Sequence, residues 1–97
     1  MTFLFLPEAE AEFLEAIEYL EEQQKGLGLD LSREVFDTIG RIIRHPKAWP
    51  PYKHRSRRCL TNRFPYAVIY RIEEDFILIF AVAHMSREPD YWSKRVN

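Results

Sequence analysis

The sequence predicts an α+β domain in which a helical hairpin packs on a mostly antiparallel sheet of three to four strands. Two observations support this prediction. Apolar residues recur at helical spacing through the first half of the chain, and two apolar segments around a short acidic turn follow in the second half. A strand before the helices and a short C-terminal helix complete the expected order, which we assign to one domain over residues 1–97.

The N-terminal part predicts a strand followed by a helix. Thr2–Leu6 is a short apolar run typical of a strand. Pro7 suits the first turn of a helix, because its missing N–H would have no partner there. Glycines in KGLG, residues 25–28, end this helix because they tolerate left-handed conformations. The apolar positions of the helix are Ala9, Phe13, Ala16, Ile17 and Leu20.

A second helix follows and returns alongside the first. His45-Pro46 ends this helix, since the residue before a proline disfavours the helical region. The short connection between the two helices predicts an antiparallel pair. Trp49–Tyr52, the segment WPPY, is expected to be a stiff linker. The apolar face of the second helix consists of Leu31, Val35, Ile39 and Ile42.

The rest of the chain is typical of strands. Arg55–Thr61 predicts a basic strand, which a sheet edge would tolerate. The segments Phe64–Ile72 and Phe76–His84 flank an acidic turn and predict a hairpin. Its second arm is apolar on both faces, as expected of a central strand. Pro89 begins a short C-terminal helix or turn.

Charge is divided unevenly along the chain. Residues 1–38 contain ten Asp/Glu and two Lys/Arg, whereas residues 39–97 contain twelve Lys/Arg and five Asp/Glu. From Arg41 to Arg63 there are eight Lys/Arg and no acid. This division predicts an anionic ligand or an acidic partner segment for the basic half, with a merely solvated surface as the alternative.

Several classes of protein are not favoured by the sequence. Cys59 is the single cysteine, and it has no metal-ligand spacing to the three histidines, so we expect no metal, no cofactor and no disulfide. The sequence has neither a signal-peptide pattern nor an apolar run of membrane length. We therefore expect a cytoplasmic protein without membrane partners.

Four segments, taken in order, resemble toxins of the RelE/ParE superfamily of bacterial type II toxin–antitoxin systems. The resemblance covers about Leu6 to Arg95 and is somewhat closer to ParE. It implies the α+β fold, a role in growth inhibition or plasmid stabilisation, and a cognate antitoxin that covers the toxin. Operator DNA would be reached only through that antitoxin. The four segments are EAIEYLEEQQKGLG, HPKAWP, RRCLTNRFPYAVIYRI and AVAHMSREPDYWSKR.

One branch of the superfamily implies an enzyme. RelE-like toxins are metal-independent endoribonucleases that cleave messenger RNA on the ribosome, and this chemistry needs a base, a proton donor and cations on the phosphate. Two arginine positions of that branch fall at Ala67 and Met85 in this sequence. If the chain is nevertheless a nuclease, we choose its candidate catalytic residues from the resemblance and from their closeness in sequence to the two missing arginines. These candidates are Arg63, His84, Arg87 and Tyr91.

The other branch implies inhibition of DNA gyrase, and the absence of arginine at Ala67 and Met85 favours it. Gyrase is therefore the expected target, with the ribosome and its messenger RNA as the alternative. A simple nucleic-acid-binding module and a purely structural partner protein rank below both. The residues expected to bind the target or the antitoxin are Lys53, Arg55, Arg57, Arg58, Trp92, Lys94 and Arg95.

Overall fold

The computed structural model describes residues 1–96 and contains two helices and five strands. Because β4 and β5 are long and mostly apolar, they form the centre of the sheet, and the helices cover one of its faces. The bounds are β1 Thr2–Phe5, α1 Pro7–Gln23, α2 Leu27–Arg44, β2 Pro51–Tyr52, β3 Ser56–Leu60, β4 Tyr66–Ile72 and β5 Phe76–His84.

The sheet has the strand order β1-β5-β4-β3-β2. Strand β1 runs parallel to β5, and all other neighbours are antiparallel. The α+β class and the mostly antiparallel sheet are confirmed. The sheet has five strands instead of the three to four expected, because Pro51 and Tyr52 of the supposed linker pair with Arg57 and Ser56.

The two helices lie close together at their connection. Gly26 adopts a left-handed conformation with φ of 90°, as expected for a glycine that ends α1. Gly28, expected in the same connection, lies inside α2. A Cβ atom at Gly28 would lie 2.5 Å from the carbonyl oxygen of Ile17, so only glycine allows this approach. None of the helices in residues 1–96 is long and apolar enough to cross a membrane.

The two faces of the sheet carry separate cores. The helix-facing core is built from apolar residues of both helices and from Val68, Tyr70, Ile77, Ile79 and Val82 of the central strands. On the outer face, Ala67, Ile69, Phe80, Ala81 and Ala83 pack beneath Trp92 of the C-terminal segment. The expected C-terminal helix is a single 3₁₀ turn, Ser93–Arg95.

Strand β5 contains an irregularity that changes its alternation. Ile69 is opposite Ala81 and Tyr70 is opposite Ile79, so Phe80 is an extra residue in β5. Such a bulge lets Phe80 and Ala81 both belong to the outer core. Ile79 and Val82, on either side of the bulge, both belong to the helix-facing core.

Candidate functional site

The C-terminal segment and β3 form a small cavity on the outer face of the sheet. Its volume is about 100 Å³, and its floor is made of Ala67, Ile69 and Ala83. The guanidinium of Arg58 lies 4.5 Å from the centre of the Tyr52 ring, so the cation is held against an aromatic face at the rim. The cavity therefore combines an apolar floor with a basic rim.

Three of the four nuclease candidates meet at this cavity. His84, Arg87 and Tyr91 all line it, and the guanidinium of Arg87 lies 3.9 Å from the Tyr91 ring centre. Nδ1 of His84 is 2.7 Å from Oγ of Ser86 and accepts the Ser86 N–H at 3.0 Å.

Arg63, the fourth candidate, lies elsewhere. It belongs to the β3–β4 loop, where its Nη2 is 3.3 Å from Asp30 of α2. The carboxylate of Glu34 accepts the backbone N–H groups of Arg63 and Phe64 at 2.5 and 3.0 Å, which fixes this loop on the helix side. The structure therefore brings three of the four candidates together and leaves Arg63 apart.

Trp92, expected from the sequence to bind a partner, is buried. Its side chain is 1% exposed and stacks on Phe80 with ring centres 6.0 Å apart. Three residues of this face, Ala67, Ala81 and Ala83, are small and leave room for an indole. Trp92 therefore presents no free surface in this conformation, and its role here is to hold the C-terminal segment on the sheet.

Glu12 ties α1, β5 and the C-terminal segment together. Its carboxylate accepts the Tyr91 hydroxyl at 2.5 Å, Nη1 of Arg95 at 3.0 Å and the backbone N–H of Val82 at 2.9 Å. Arg95 also donates to the carbonyl of Phe80 at 2.9 Å. The Glu12 and Arg95 side chains are only 15% and 17% exposed. Beyond the end of β1, the Glu12 carboxylate and the Arg95 guanidinium therefore provide hydrogen-bond partners for the backbone of β5.

This cluster shifts the ionisation of its members. Burial raises the pKa of Tyr91, and the hydrogen bond to Glu12 raises it further. Burial alone would lower the pKa of Arg95, but its hydrogen bonds to Glu12 and the Glu12 charge outweigh burial and raise it. Arg95 is thus committed to an internal ion pair. A groove of about 510 Å³ lies beside this cluster, between α1 and the ends of β4 and β5.

The basic strand distributes its side chains over both faces, as alternation requires. Arg57 points to the helix side and donates from Nη1 to the carbonyl of Trp49 at 2.5 Å, whereas Arg58 reaches the outer face. Strand β3 begins at Ser56, so Arg55 lies outside it, in a 3₁₀ turn with φ of 60°. Lys53 and Lys94 are exposed in the two 3₁₀ turns.

A second groove, of about 550 Å³, runs along the edge of β3 beyond the end of β2. Its aromatic and proline wall comes from Trp49, Pro50, Pro51 and Tyr52. Arg41 of α2 enters it and donates from Nη2 to the carbonyl of Leu60 at 3.1 Å. Burial raises the pKa of Cys59, whose sulfur is 4.0 Å from the same nitrogen, so the thiol is kept neutral.

Glu12, Arg41 and Tyr52 were not predicted from the sequence as site residues. Glu12 is one of many glutamates in α1, and its partners are 70 to 83 residues away along the chain. Arg41 carries one signal, since it begins the acid-free stretch that ends at Arg63. Within residues 1–96, no group of three or more His, Cys, Asp or Glu side chains is arranged to hold a metal ion.

Comparison with known proteins places this chain in a family. A family model described as the ParE toxin of the type II toxin–antitoxin system parDE matches residues 3–89. The chain belongs to this ParE toxin family. Members are the toxins of type II toxin–antitoxin systems, so the toxin class and the ParE-like character expected from the sequence are confirmed.

Solved structures agree with the family at the level of the fold. The chromosomal ParDE toxin–antitoxin system from P. aeruginosa contains a chain that superimposes with a TM-score of 0.77 at 13% identity. The superposition covers 89% of this ParE-family chain and 97% of the other. At this identity the likeness establishes the shared fold alone. The search of curated proteins gives no match.

Proposed function

We propose that this ParE-family toxin inhibits DNA gyrase and is neutralised by a cognate antitoxin. One observation carries the choice of target. Ala67 and Met85 occupy the positions where the ribosome-dependent branch of the superfamily carries arginines, and Ala67 is buried at the floor of the outer cavity. A phosphate at this cavity would therefore lack two of the cations that stabilise the transition state of RNA cleavage.

The hydrogen bonds and the ion pair of the other candidate residues support the same proposal. The Tyr91 hydroxyl donates to Glu12, and Nδ1 of His84 faces Ser86. Arg63 pairs with Asp30 on the other side of the sheet. The Tyr91 hydroxyl, Nδ1 of His84 and the Arg63 guanidinium thus each have a partner within the chain. Inhibition of gyrase requires binding to the enzyme, but it does not require a proton donor, a base and a cation for RNA cleavage.

Ribosome-dependent cleavage of messenger RNA is the second candidate, and one observation favours it. Arg58, Arg87 and Tyr91 line the outer cavity, so two cations and an aromatic ring lie close together there. His84 lines both this cavity and the groove beside α1, and its ring centre is 5.1 Å from that of Tyr66 on the helix side. Arg58 and Arg87 would then replace the two missing arginines. An enzyme of this kind would work without metal or cofactor.

The toxin–antitoxin role has further consequences within the proposal. The antitoxin gene would lie beside this one, and operator DNA would be bound through the antitoxin. The protein would act in the cytoplasm, where gyrase and ribosomes work, and the pair would stabilise a plasmid or restrain growth.

Pulse-labelling of DNA and protein synthesis within minutes of induction tests the target. We expect DNA labelling to stop first while protein labelling continues, and purified toxin to block supercoiling by gyrase. Co-expression of the adjacent antitoxin should restore growth. The double variant Arg87→Ala/Tyr91→Phe should remain toxic, because gyrase inhibition needs no nuclease residues. An early stop in protein labelling that this variant abolishes would instead establish the nuclease.

A further inference from the structure

We propose that a basic pocket at one end of the sheet binds the phosphate backbone of duplex DNA. The pocket has a volume of about 340 Å³ and lies where β3 begins and β4 ends. The choice of DNA rests on the proposed function, since gyrase holds duplex DNA as its substrate. Holding that DNA as well would raise the effective concentration of the toxin at its target. The residues that line the pocket are Lys47, Arg55, Arg57, Arg71 and Ile72.

The charge of this pocket is almost entirely positive. Four of its five lining residues are Lys or Arg, and none is Asp or Glu. Of these four cations, only Arg71 forms an ion pair with a carboxylate in the described part of the chain, that of Glu73 at 2.9 Å. A concave surface lined by one sign of charge concentrates ions of the opposite sign. The pocket therefore favours an anion with several charges.

The fold holds two of these cations in place before a ligand arrives. Nη1 of Arg57 donates to the carbonyl of Trp49 at 2.5 Å, and the hydroxyl of Tyr70 donates to the carbonyl of Pro46 at 2.7 Å. Both hydrogen bonds fix the loop after α2, which carries Lys47. Groups that are positioned in advance lose less entropy when a ligand binds.

Arg55 enters the pocket from a strained turn. His54 and Arg55 both have a positive φ, of 56° and 60°, which is uncommon for residues other than glycine. The hydroxyl of Ser56 donates to the carbonyl of Lys53 at 2.6 Å and closes this turn. Backbone conformations of this kind cluster at binding sites, where function retains them. The strain at Arg55 thus points to the same pocket as its charge.

The end of β4 adds a backbone donor. The N–H of Glu73 donates to Phe76 at 2.9 Å, and successive N–H groups of a strand point to opposite sides, so the N–H of Ile72 points toward β3. Extending the register of β3 with β4 places Arg55 opposite Ile72, but β3 begins only at Ser56. The N–H of Ile72 therefore opens toward the pocket, where a phosphate oxygen can accept it.

The lining of the pocket favours a duplex over a single strand. None of the five lining residues is aromatic, so unstacked bases would find no ring on which to stack. None of their side chains has a hydrogen-bond acceptor, so the donors of base edges would find no partner. A duplex presents its phosphates while its bases remain paired. The pocket therefore suits contacts that hold DNA of any sequence, in contrast to recognition of an operator.

Binding of a short labelled DNA duplex, followed by fluorescence anisotropy at increasing salt, tests this proposal. We expect the double variant Lys47→Glu/Arg55→Glu to bind about tenfold more weakly than the wild type. The slope of log affinity against log salt should become shallower by about 1–2, because each phosphate contact contributes about 0.9 to it.

Lys25→Glu/Arg33→Glu is the matched control, because it changes the net charge equally at two exposed residues of the helical hairpin. Both residues lie more than about 15 Å before the end of α2, counted along the helix. Salt screens charges over this distance. The control should therefore weaken binding less than about threefold.

Arg55→Gly separates binding from folding. This substitution removes one cation and also relieves the positive φ of residue 55. We expect the melting temperature, measured by circular dichroism, to stay the same or rise, while the affinity for the duplex falls about fivefold. Unchanged affinity would show that Arg55 does not reach the DNA and would overturn the proposal.

The outcomes separate this proposal from gyrase inhibition. If wild-type protein does not bind the duplex, or if the pocket variant and its control bind it equally well, the DNA site fails whatever the result with gyrase. If single-stranded RNA of the same length binds more tightly, or if inorganic phosphate binds and the duplex does not, the choice of duplex DNA is wrong. If the duplex binds through the pocket but the wild-type protein leaves supercoiling unaffected, the proposed function fails and the DNA site stands.

Discussion

Beyond the end of β1, the edge of β5 receives a carboxylate and a guanidinium from its own chain. Beyond β2, the one charged side chain among residues 1–96 that donates to the edge of β3 is Arg41. In both places a short edge strand stops before its longer neighbour does. Glu12 and Arg95 then take over the hydrogen bonds that a longer β1 would have made. At β3, the neighbouring prolines end the pairing, and an N–H of the strand points into an open groove.

The difference shows how one sheet can have a protected edge and an available edge. An unpaired strand edge is a template for another chain, and proteins usually cover or charge it. Here the β5 edge is covered by largely buried ionic groups of the same chain. The β3 edge is lined by cations, which repel basic chains and attract acidic ones. The two edges of the sheet therefore differ in how far the chain itself satisfies their backbone groups.

Removing the Glu12 carboxylate should destabilise the protein at the edge of β5 beyond β1. Glu12→Ala leaves a largely buried guanidinium, a tyrosine hydroxyl and the N–H of Val82 without their acceptor. We expect the free energy of unfolding to fall by about 3–5 kcal/mol, as for other buried pairs that lose one partner. Urea denaturation followed by circular dichroism measures this change.

Glu15→Ala is the matched control for this substitution, because Glu15 is an exposed glutamate of the same helix. Its cost should stay below about 0.5 kcal/mol. Equal and small effects of the two substitutions would show that Glu12 does not hold the β5 edge.

Alkaline pH should weaken the fold through its buried tyrosines. Burial raises the pKa of Tyr70 to about 12 and also raises that of Tyr91. Unfolded tyrosine ionises near pH 10, so between about pH 10 and 12 the unfolded chain binds fewer protons and the free energy of unfolding falls, by about 2–3 kcal/mol for Tyr70. Below pH 10 this contribution to stability is fully present.

Tyr91→Phe sharpens the comparison of the two edges, since it removes the hydroxyl at the β5 edge and leaves Tyr70 in place. Its unfolding free energy, measured by urea titration at several pH values, should fall less steeply above pH 10 than that of the wild type. A pH profile that superimposes on the wild-type profile would argue against the hydrogen bond between Tyr91 and Glu12.

The smallest effect is expected at the open edge. Leu60→Pro should lower the free energy of unfolding by less than about 1 kcal/mol, because the lost N–H has no partner in β4. The comparable substitution Val82→Pro, which removes the N–H bound to Glu12, should cost clearly more. Thermal unfolding of both variants measures the difference. Equal losses would mean that the two edges are equally closed.

Local patterns predicted most of the fold. Two features depend on residues that are near one another in sequence, so the sequence predicts them. They are the apolar spacing of the two helices and the paired apolar arms of the β4–β5 hairpin. Strand β2 could not be predicted, because its two residues, Pro51 and Tyr52, are too few to show the alternation of a strand. The extra residue at Phe80 was equally hidden, since β5 is apolar on both faces.

The candidate site was less predictable, because its contacts are long-range. In the sequence Glu12 does not differ from the other glutamates of α1. Its contacts with β5 and with the C-terminal segment exist only in the folded structure. From the sequence, Trp92 was a candidate for partner binding, with packing against the sheet as the other interpretation. Its burial depends on small residues at positions 67, 81 and 83, which only the folded sheet brings together.

The bulge at Phe80 has a consequence for comparing this chain with its relatives. Before Phe80 the odd-numbered residues of β5 face the helices, and after it the even-numbered residues do. In a relative without the bulge, an ungapped alignment of this strand would pair residues on opposite faces of the sheet from here to its end. Functional assignments at His84 and Met85 therefore transfer between family members only where the extra residue is also shared.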